Sequence, residues 1–164
     1  MPKNAQPFLL LDVDGVLAVK PGHRRDKALG RHEVIASDGQ SHTIWLDPRH
    51  RQWLTRLAET FTPVWTTGWE HDAPRLLGPL LGLPAMPVIE FTQRPELGVP
   101  IDKLPDVIDF VGDNAAAWVD DELSGREQAW AEGRLSPTLL ISPDPALGLT
   151  SQHVNQLLRF AESV

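Results

Sequence analysis

The sequence contains no cysteine, which excludes disulfide bonds and metal sites built on thiolates. It also has no internal repeat, no low-complexity segment and no apolar run near the length of a membrane span. The apolar stretch near the N-terminus is too short for a signal peptide, so we expect a cytoplasmic protein with no membrane contact. Positive charge is scarce, since 15 Lys and Arg oppose 22 Asp and Glu and leave a net charge of -7. This balance argues against a large non-specific nucleic-acid surface.

The rest of the composition is that of an ordinary globular domain, with 164 residues of which 41% are hydrophobic and 23% are charged. A chain of this length can bury one core, so we expect a single domain over residues 1–164. Basic residues are concentrated between Lys20 and Arg31, where five of them accompany one acid, Asp26. This segment is either a solvated loop or a source of positive potential that attracts a phosphorylated substrate.

Five short runs of apolar and β-branched residues predict the strands of a sheet. They cover residues 8–13, 63–67, 87–91, 115–119 and 138–141. Apolar stripes at helical spacing predict helices after Asp47, over about 72–83 with an interruption at Gly78, over about 122–133, and over about 151–162 after the capping residue Thr150. Because most of the strands are separated by helices, we expect an α/β protein with a parallel five-stranded sheet and helices on both faces.

The segment HEVIASDGQSHTIWL, which begins at His32, breaks this alternation. Two runs of alternating apolar residues flank Asp38-Gly39, a pair that suits the positive φ angles of a type I′ turn. We therefore expect a small β-hairpin over about residues 32–47. Inserted soon after the first strand, this hairpin would stand as a flap over the strand ends, and no large cap domain is expected.

Two aspartates, Asp12 and Asp14, follow the first predicted strand in FLLLDVDGVL. Open α/β sheets bind ligands at the carboxyl ends of their strands, so these carboxylates are expected at an edge rather than in the core. Two carboxylates this close repel each other unless a cation lies between them, and Mg²⁺ prefers such oxygen ligands. The pair therefore predicts a metal site, although the pattern also occurs in Asp-rich turns and in enzymes that hold a metal-bound sugar nucleotide.

Polar residues also follow two other predicted strands and begin a predicted helix. VWTTGWE places Thr67 and Gly68 at one strand end, and AAAWVDDEL places Asp120 and Asp121 at another. Successive strand residues face opposite ways, so at most one of these two acids is expected to point directly at the site, and the sequence does not choose between them. VPIDKLPDVIDF places Lys103 near the start of a helix.

Together these motifs carry a resemblance to a known family. LLLDVDGVL resembles hhhDxDGxL, the first motif of the haloacid dehalogenase (HAD) superfamily of phosphotransferases, and the Thr-Gly, Lys and Asp-Asp motifs follow in that family's order. The resemblance spans residues 8 to about 142. It implies a three-layer Rossmann-like fold and a Mg²⁺-dependent phosphatase that works through an aspartyl-phosphate. TTGWEHDAPRLLGPLLGLP and LLISPDPALGLTSQHV are similar, more narrowly, to the HAD domains of Swiss-army-knife RNA repair proteins.

The resemblance implies roles for the acids. Asp12 would be the nucleophile that attacks phosphorus, and Asp14 would protonate the leaving alkoxide and later activate water. Mg²⁺ would be bound by Asp12, the backbone carbonyl of Asp14 and Asp121, with Asp120 in support. Asp113, in VGDN, precedes its strand and is interpreted as a turn residue.

The resemblance also implies phosphate-binding residues. The hydroxyl of Thr67 and the N–H of Gly68 would bind phosphoryl oxygens, and Lys103 would neutralise the nucleophile and the phosphoryl group. Gly15 would let the chain turn beside the phosphate, since it has no Cβ. Trp69 would line the mouth of the site, where it either stacks on a base or packs under the hairpin.

Some alternatives stay open. Thr66 is the alternative to Thr67, and Arg94 is the alternative cation to Lys103. A site without a large cap suits an exposed phosphate, at the end of RNA, on a nucleotide or on a protein, while the oligomeric state is not predicted. The domain is either a phosphatase or a catalytically weak module that binds a phosphorylated partner. Its length and its Thr-Gly and Asp-Asp strand ends argue against a sugar-nucleotide transferase.

Overall fold

The computed structural model describes residues 5–20, 28–93 and 99–164. Its strands are β1 (Phe8–Leu11), β2 (Gly30–Ile35), β3 (Ser41–Leu46), β4 (Thr62–Trp65), β5 (Ala116–Val119) and β6 (Thr138–Ile141). Its α-helices are α1 (His50–Leu57), α2 (Gly78–Leu81), α3 (Leu104–Val111), α4 (Gly125–Gly133) and α5 (Ser151–Ser163). A π-helical turn, Ala73–Leu77, leads directly into α2, so the helix predicted over 72–83 is interrupted at Gly78 as expected.

Four parallel strands form the main sheet in the order β4-β1-β5-β6, and β2 pairs with β3 as a separate antiparallel hairpin. Every residue of β1 is paired with β4 on one side and with β5 on the other. The chain passes from β1 to β4 and then back across β1 to β5, so the winding reverses at the carboxyl end of β1. Such a reversal opens a crevice in which α/β proteins bind ligands.

The side chains of β1 are buried on both faces of the sheet because successive strand residues point in opposite directions. Leu9 and Leu11 belong to the core that includes residues of α1, α5 and the hairpin. Leu10 belongs to a second core, with Val107 of α3 and Trp118 of β5. The predicted α/β fold with helices on both faces of a parallel sheet is therefore confirmed. Burial on both faces also explains why β1 is an unbroken apolar run.

The strand predicted over residues 87–91 is wrong, because this segment is not a strand of the sheet, which has four strands rather than five within the described residues. It meets β4 at Trp65, whose N–H donates to the carbonyl of Pro87 at 2.9 Å and whose carbonyl accepts the N–H of Ile89 at 3.0 Å. Proline has no N–H, so Pro87 and the neighbouring Pro63 of β4 each remove a donor that a longer ladder would use. The apolar residues are nevertheless in the core, where Ile89 is 4% exposed.

The predicted hairpin is present, but its predicted type I′ turn is wrong. Ala36 and Gln40 form the last pair of the hairpin, since the N–H of Ala36 donates to the carbonyl of Gln40 at 2.9 Å. The loop between them therefore has three residues rather than two. The N–H of Gly39 donates to the carbonyl of Ala36 at 2.9 Å, and Gly39 has a φ of 83°. Asp38 is not among the described residues with positive φ. A type I turn followed by a left-handed glycine is the usual geometry of a three-residue hairpin loop.

The last two helices begin at side-chain caps. Ser124 caps α4, and the hydroxyl of Thr150 accepts the N–H of His153 at 3.4 Å at the start of α5, as predicted. Within the described ranges, none of the helices has the length and apolar character that crossing a bilayer requires.

The first residue of α1, His50, is buried beneath the segment that precedes α5. It is 0% exposed, and its Nε2 lies 2.9 Å from the carbonyl oxygen of Leu149, to which it donates. Burial lowers the pKa of His50 below its usual 6.5, with Arg49 acting in the same direction and the Leu149 contact and Asp47 opposing it. The folded protein therefore resists protonation of this imidazole.

We expect His50→Gln to weaken the pH dependence of stability. Glutamine can still donate to Leu149 but cannot take up a proton. Because the unfolded chain binds this proton below about pH 6.5, the wild type should lose free energy of unfolding relative to the variant as the pH falls from about 7 towards 5. Thermal unfolding of both proteins across this range measures the difference, and identical pH slopes would contradict the prediction.

Candidate active site

The carboxyl ends of β1 and β5 bring two predicted site residues to the same edge of the sheet. Backbone hydrogen bonds continue the ladder one residue beyond each strand. The N–H of Asp12 donates to the carbonyl of Val119 at 3.1 Å, and the N–H of Asp120 donates to that of Ile141 at 3.1 Å. Asp12 and Asp120 are thus held by the sheet itself, at the crevice where the winding reverses.

Three carboxylates meet at this edge. Asp12, Asp120 and Asp121, here called the acidic cluster, each have an oxygen within 4.8 Å of the other two. Asp12 is 6% exposed and Asp120 is 2% exposed. Both acids of the Asp-Asp pair belong to the cluster, so the expectation that at most one would face the site is wrong. The reason is that the ladder ends at Asp120, and Asp121 lies in the turn that follows, where the alternation of strand side chains no longer holds.

Both lysines in the described part of the chain contact the acidic cluster. Lys103, the residue before α3, places Nζ 3.1 Å from Oδ1 of Asp12 and 2.7 Å from Oδ2 of Asp120, with a side chain that is only 15% exposed. Nζ of Lys20 lies 3.1 Å from Oδ2 of Asp121 and is largely exposed. The structure thus brings Lys103 beside Asp12, as its predicted role requires.

The pKa values of the buried groups reflect their burial and the charges that they place on one another. Burial raises the pKa of Asp12 to about 7, with Lys103 opposing the shift and Asp120 adding to it. Burial alone would lower the pKa of Lys103, but Asp12 and Asp120 outweigh burial and raise it, so this lysine stays charged. Lys103 and the exposed Lys20 place two ammonium groups against three carboxyl groups, and a divalent cation would add the positive charge that the buried acids lack.

The donor set of the acidic cluster fits Mg²⁺. Its ligand atoms are carboxylate oxygens, which this ion prefers. Octahedral binding at about 2.1 Å places neighbouring oxygens about 3 Å apart and opposite ones about 4.2 Å apart. The oxygens of the cluster lie within 4.8 Å of one another, which is close to the spacing that octahedral binding requires.

Gly15 makes room for one carboxylate of the cluster. Its φ of 78° lies in the left-handed region that favours glycine. A Cβ at this position would lie 2.5 Å from Cγ of Asp121, well inside van der Waals contact. The space beside Gly15, which the sequence resemblance assigns to a turn near the phosphate, is thus also the space that Asp121 occupies.

The carboxylate of Asp14 lies apart from the acidic cluster. Asp14 is exposed, and its Oδ2 accepts a hydrogen bond from Nε1 of Trp69 at 2.9 Å. The chain turns after Asp12, since the N–H of Leu17 donates back to the carbonyl of Val13 at 2.9 Å. This turn carries Asp14 to the rim of the site, and a metal contact through its backbone carbonyl stays a prediction.

Two threonines follow β4, and their hydroxyls have different partners. The N–H of Thr66 donates to the carbonyl of Leu11 at 2.8 Å, and its hydroxyl donates to that of Val64 at 3.3 Å. The hydroxyl of Thr67 accepts the N–H of Trp69 at 3.2 Å and keeps its own hydrogen for another acceptor. Although Thr67 is 1% exposed, this difference favours it over Thr66 as the phosphate-binding hydroxyl.

The remaining predicted residues lie around the site or outside it. Gly68 is exposed beside the acidic edge, where a Cβ would lie 3.3 Å from Cδ1 of Ile101. Arg94, the alternative cation, lies outside the described residues. Asp113 is exposed in the turn before β5, at the opposite end of that strand from Asp120, which agrees with its interpretation as a turn residue.

A groove of about 880 Å³ opens beside Asp14, between the hairpin and the segment that follows β4. Trp69 lines this groove and packs edge-on against His42 of β3, with ring centroids 5.2 Å apart. The hairpin loop is tied to the same segment, because the N–H and hydroxyl of Ser37 donate to Oδ2 of Asp72 at 2.9 and 2.8 Å. Trp69 therefore packs against the hairpin while it lines the groove.

The contacts of Lys20 and Arg75 do not follow from the sequence. Lys20 was noted as part of a basic segment, but its contact with Asp121 was not predicted. Arg75 donates to Oδ1 of Asp72 at 2.6 Å and to the carbonyl of Ile35 at 3.1 Å, which joins the hairpin to the groove wall. The spacing of three residues between Asp72 and Arg75 indicates an ion pair within a helical turn, but not its contact with a distant hairpin.

The fold and the site define a class of protein. A parallel sheet whose central strand ends in a buried aspartate, beside an Asp-Asp pair and a buried lysine, is the arrangement implied by the motifs of the HAD superfamily. Residues 8–154 match the family model described as the HAD domain in Swiss Army Knife RNA repair proteins. The chain therefore belongs to this family, which suggests a phosphohydrolase-type function in RNA repair. None of the curated proteins matches the chain.

We expect Gly15→Ala to weaken Mg²⁺ binding, because the added Cβ displaces the Asp121 carboxylate. The expected loss of affinity is about 10- to 100-fold, the usual effect of disturbing a group that orients a metal ligand. Isothermal titration calorimetry with Mg²⁺ measures it. The matched control is Gly125→Ala at the start of α4, where a Cβ meets nothing within 4 Å.

Circular dichroism of both variants establishes that they remain folded. A folded Gly15→Ala protein that binds Mg²⁺ as tightly as the control would show that Asp121 is not a ligand.

Proposed function

We propose that this domain is a Mg²⁺-dependent phosphohydrolase that forms an aspartyl-phosphate on Asp12. The observation that carries the proposal is the meeting of the acidic cluster with Lys103 at the carboxyl edge of the sheet. Carboxylates that bind a cation, next to a buried ammonium, suit the simultaneous binding of a metal ion and a phosphoryl group. Membership of the HAD family supports the same class of reaction.

Asp12, Asp120 and Asp121 would hold the Mg²⁺. When bound, the ion reduces the repulsion between an anionic nucleophile and an anionic phosphate. Asp120 is oriented by two partners, because its Oδ1 accepts the N–H of Glu122 at 3.0 Å and its Oδ2 accepts from Lys103 at 2.7 Å. These contacts hold the carboxylate in one orientation without a bound ligand.

Asp12 is the nucleophile in this proposal. Its Oδ1 accepts the N–H of Val13 at 2.8 Å and lies 3.1 Å from Nζ of Lys103, which orients the carboxylate. The other oxygen, Oδ2, attacks phosphorus in line with the ester oxygen, and the phosphoryl group passes to Asp12 as the ester bond breaks.

Asp14 moves the protons. From its exposed position at the rim, it protonates the leaving ester oxygen during the first step. As a carboxylate, it then takes a proton from the water that attacks the aspartyl-phosphate. This second step regenerates Asp12 and releases inorganic phosphate, so Asp14 ends in the protonation state in which it began.

The transferred phosphoryl group is bound by groups that donate hydrogen bonds. Lys103 offers its charged ammonium next to Asp12, Thr67 offers its hydroxyl hydrogen, and Gly68 offers its backbone N–H. Donors of this kind stabilise the charge on the phosphoryl oxygens during transfer. The lysine contributes most because it is buried, where a charge is screened least.

The proposed substrate is a phosphate at an RNA end or on a nucleotide. The family description places these domains in RNA repair proteins, which supports a nucleic-acid substrate. The described residues between β1 and α1 form a hairpin rather than a larger cap, and the groove beside it is open. The alternative, a weak module that only binds a phosphorylated partner, is disfavoured because a nucleophile, a proton donor and a metal-binding cluster are all present.

We expect Asp12→Asn to lower the hydrolysis of nitrophenyl phosphate by about 10⁴-fold or more, since removal of a nucleophile usually costs this much. Phosphate release in the presence of Mg²⁺ measures the effect. The matched control, Asp113→Asn, alters an exposed turn aspartate and should leave the rate unchanged. An Asp12→Asn protein with more than about a tenth of the wild-type rate would exclude Asp12 as the nucleophile.

We expect RNA with a terminal phosphate to give a higher kcat/KM than phosphorylated sugars. Phosphate release should be measured for RNA and DNA ends, nucleotides and sugar phosphates at matched concentrations. Release from sugar phosphates alone would reject the RNA substrate, and tight binding of RNA ends without release would favour the binding module.

A further inference from the structure

Among the described residues, the indole of Trp69 is the hydrogen-bond partner of the Asp14 carboxylate. Nε1–H donates to Oδ2 at a distance of 2.9 Å, across 55 positions of the chain. Asp14 is exposed, and without this contact its side chain would rotate freely in water. The indole therefore selects one orientation of the carboxyl group at the mouth of the groove.

Trp69 is itself held from two sides. Its backbone N–H donates to the hydroxyl of Thr67 at 3.2 Å, which ties it to the end of β4. Its ring packs edge-on against His42 of the hairpin, and the loop of that hairpin is bound to Asp72 by Ser37. The position of the indole N–H is thus set by both walls of the groove.

An indole N–H can only donate a hydrogen bond, and this decides where a proton can sit on Asp14. Because Oδ2 accepts from Trp69, a proton carried by the carboxyl group resides on Oδ1. The acidic O–H then lies on the side of the carboxyl group away from Trp69, where it can meet a leaving group at the groove.

We propose that Trp69 is a positioning residue that orients the Asp14 carboxyl group for proton transfer to a leaving alcohol in the groove. This inference rests on the proposed phosphohydrolase function. In the step concerned, an oxygen of Asp12 bonds to phosphorus, and the bond from phosphorus to the ester oxygen breaks. The proton of Asp14 Oδ1 moves to that oxygen, which departs as a neutral alcohol.

The dependence on the leaving group tests the role of Trp69. An alkyl alkoxide leaves poorly without a proton, whereas nitrophenolate is stable and needs little help. Trp69→Phe keeps an aromatic ring but removes the N–H. It should lower kcat/KM for a ribonucleoside monophosphate about tenfold more than it lowers kcat/KM for nitrophenyl phosphate.

The ratio kcat/KM suits this comparison because it reports the steps up to phosphoryl transfer and not the later attack of water. The matched control is Trp53→Phe, which changes a half-buried tryptophan of α1. It should leave kcat/KM for both substrates unchanged.

A double-mutant cycle separates positioning from a general effect on the groove. Asp14→Asn should lower the rate on the nucleotide by about 10²- to 10⁴-fold, and Trp69→Phe should add nothing further in that background. Equal losses on the two esters, or additive losses in the double variant, would overturn the inference and leave the phosphohydrolase function standing. A wild-type protein inactive on both esters would refute the proposed function and the positioning role together.

The indole N–H signal of Trp69 gives a readout that does not depend on activity. In a ¹H–¹⁵N spectrum, the signal that Trp69→Phe removes should shift in the Asp14→Asn protein, while the signals of the other tryptophans stay in place. An unchanged Trp69 signal in the Asp14→Asn protein would overturn the inference.

Discussion

Repulsion among three carboxylates at one edge of a sheet is the constraint on which the rest of this structure depends. Asp12 and Asp120 are almost fully buried, where water screens their charges poorly. The ammonium of Lys103 contacts both of them and is itself mostly buried, so it offsets part of the repulsion. Burial, with a smaller contribution from Asp120, raises the pKa of Asp12, and a divalent cation bound at this edge would offset the remaining repulsion.

Separate elements of the fold deliver the groups that meet at this edge. Asp12 follows β1, Asp120 and Asp121 follow β5, and Lys103 precedes α3. Because neighbouring parallel strands end at the same side of a sheet, residues far apart in the chain arrive together without long loops. At this edge, Gly15 supplies a close approach that a side chain would block.

The groove beside Asp14 is built differently from the sheet edge that carries the acidic cluster. Asp14 is exposed and lies beside a groove whose walls are the hairpin and the segment after β4. These walls are joined by hydrogen bonds and a ring contact rather than by the sheet, through Ser37, Asp72, His42 and Trp69. In the proposed function, the sheet edge would bind the phosphoryl group and the groove would face the leaving group, so the substrate range could change while the chemistry stays the same.

The sequence by itself determined the α/β class and the sheet edge at which Asp12, Asp120 and Asp121 meet, because hydrophobic periodicity and motifs at strand ends are local signals. It predicted one strand too many, over residues 87–91, because that segment is apolar enough to be buried. Pro87 in this segment and Pro63 in β4 lack the N–H groups that a ladder between them would use. Only the tertiary structure decided that both Asp120 and Asp121 join the cluster and that Lys20 and Trp69 contact acids of the site. Contacts between distant residues depend on how loops pack over the sheet, and no local pattern of residues encodes that packing.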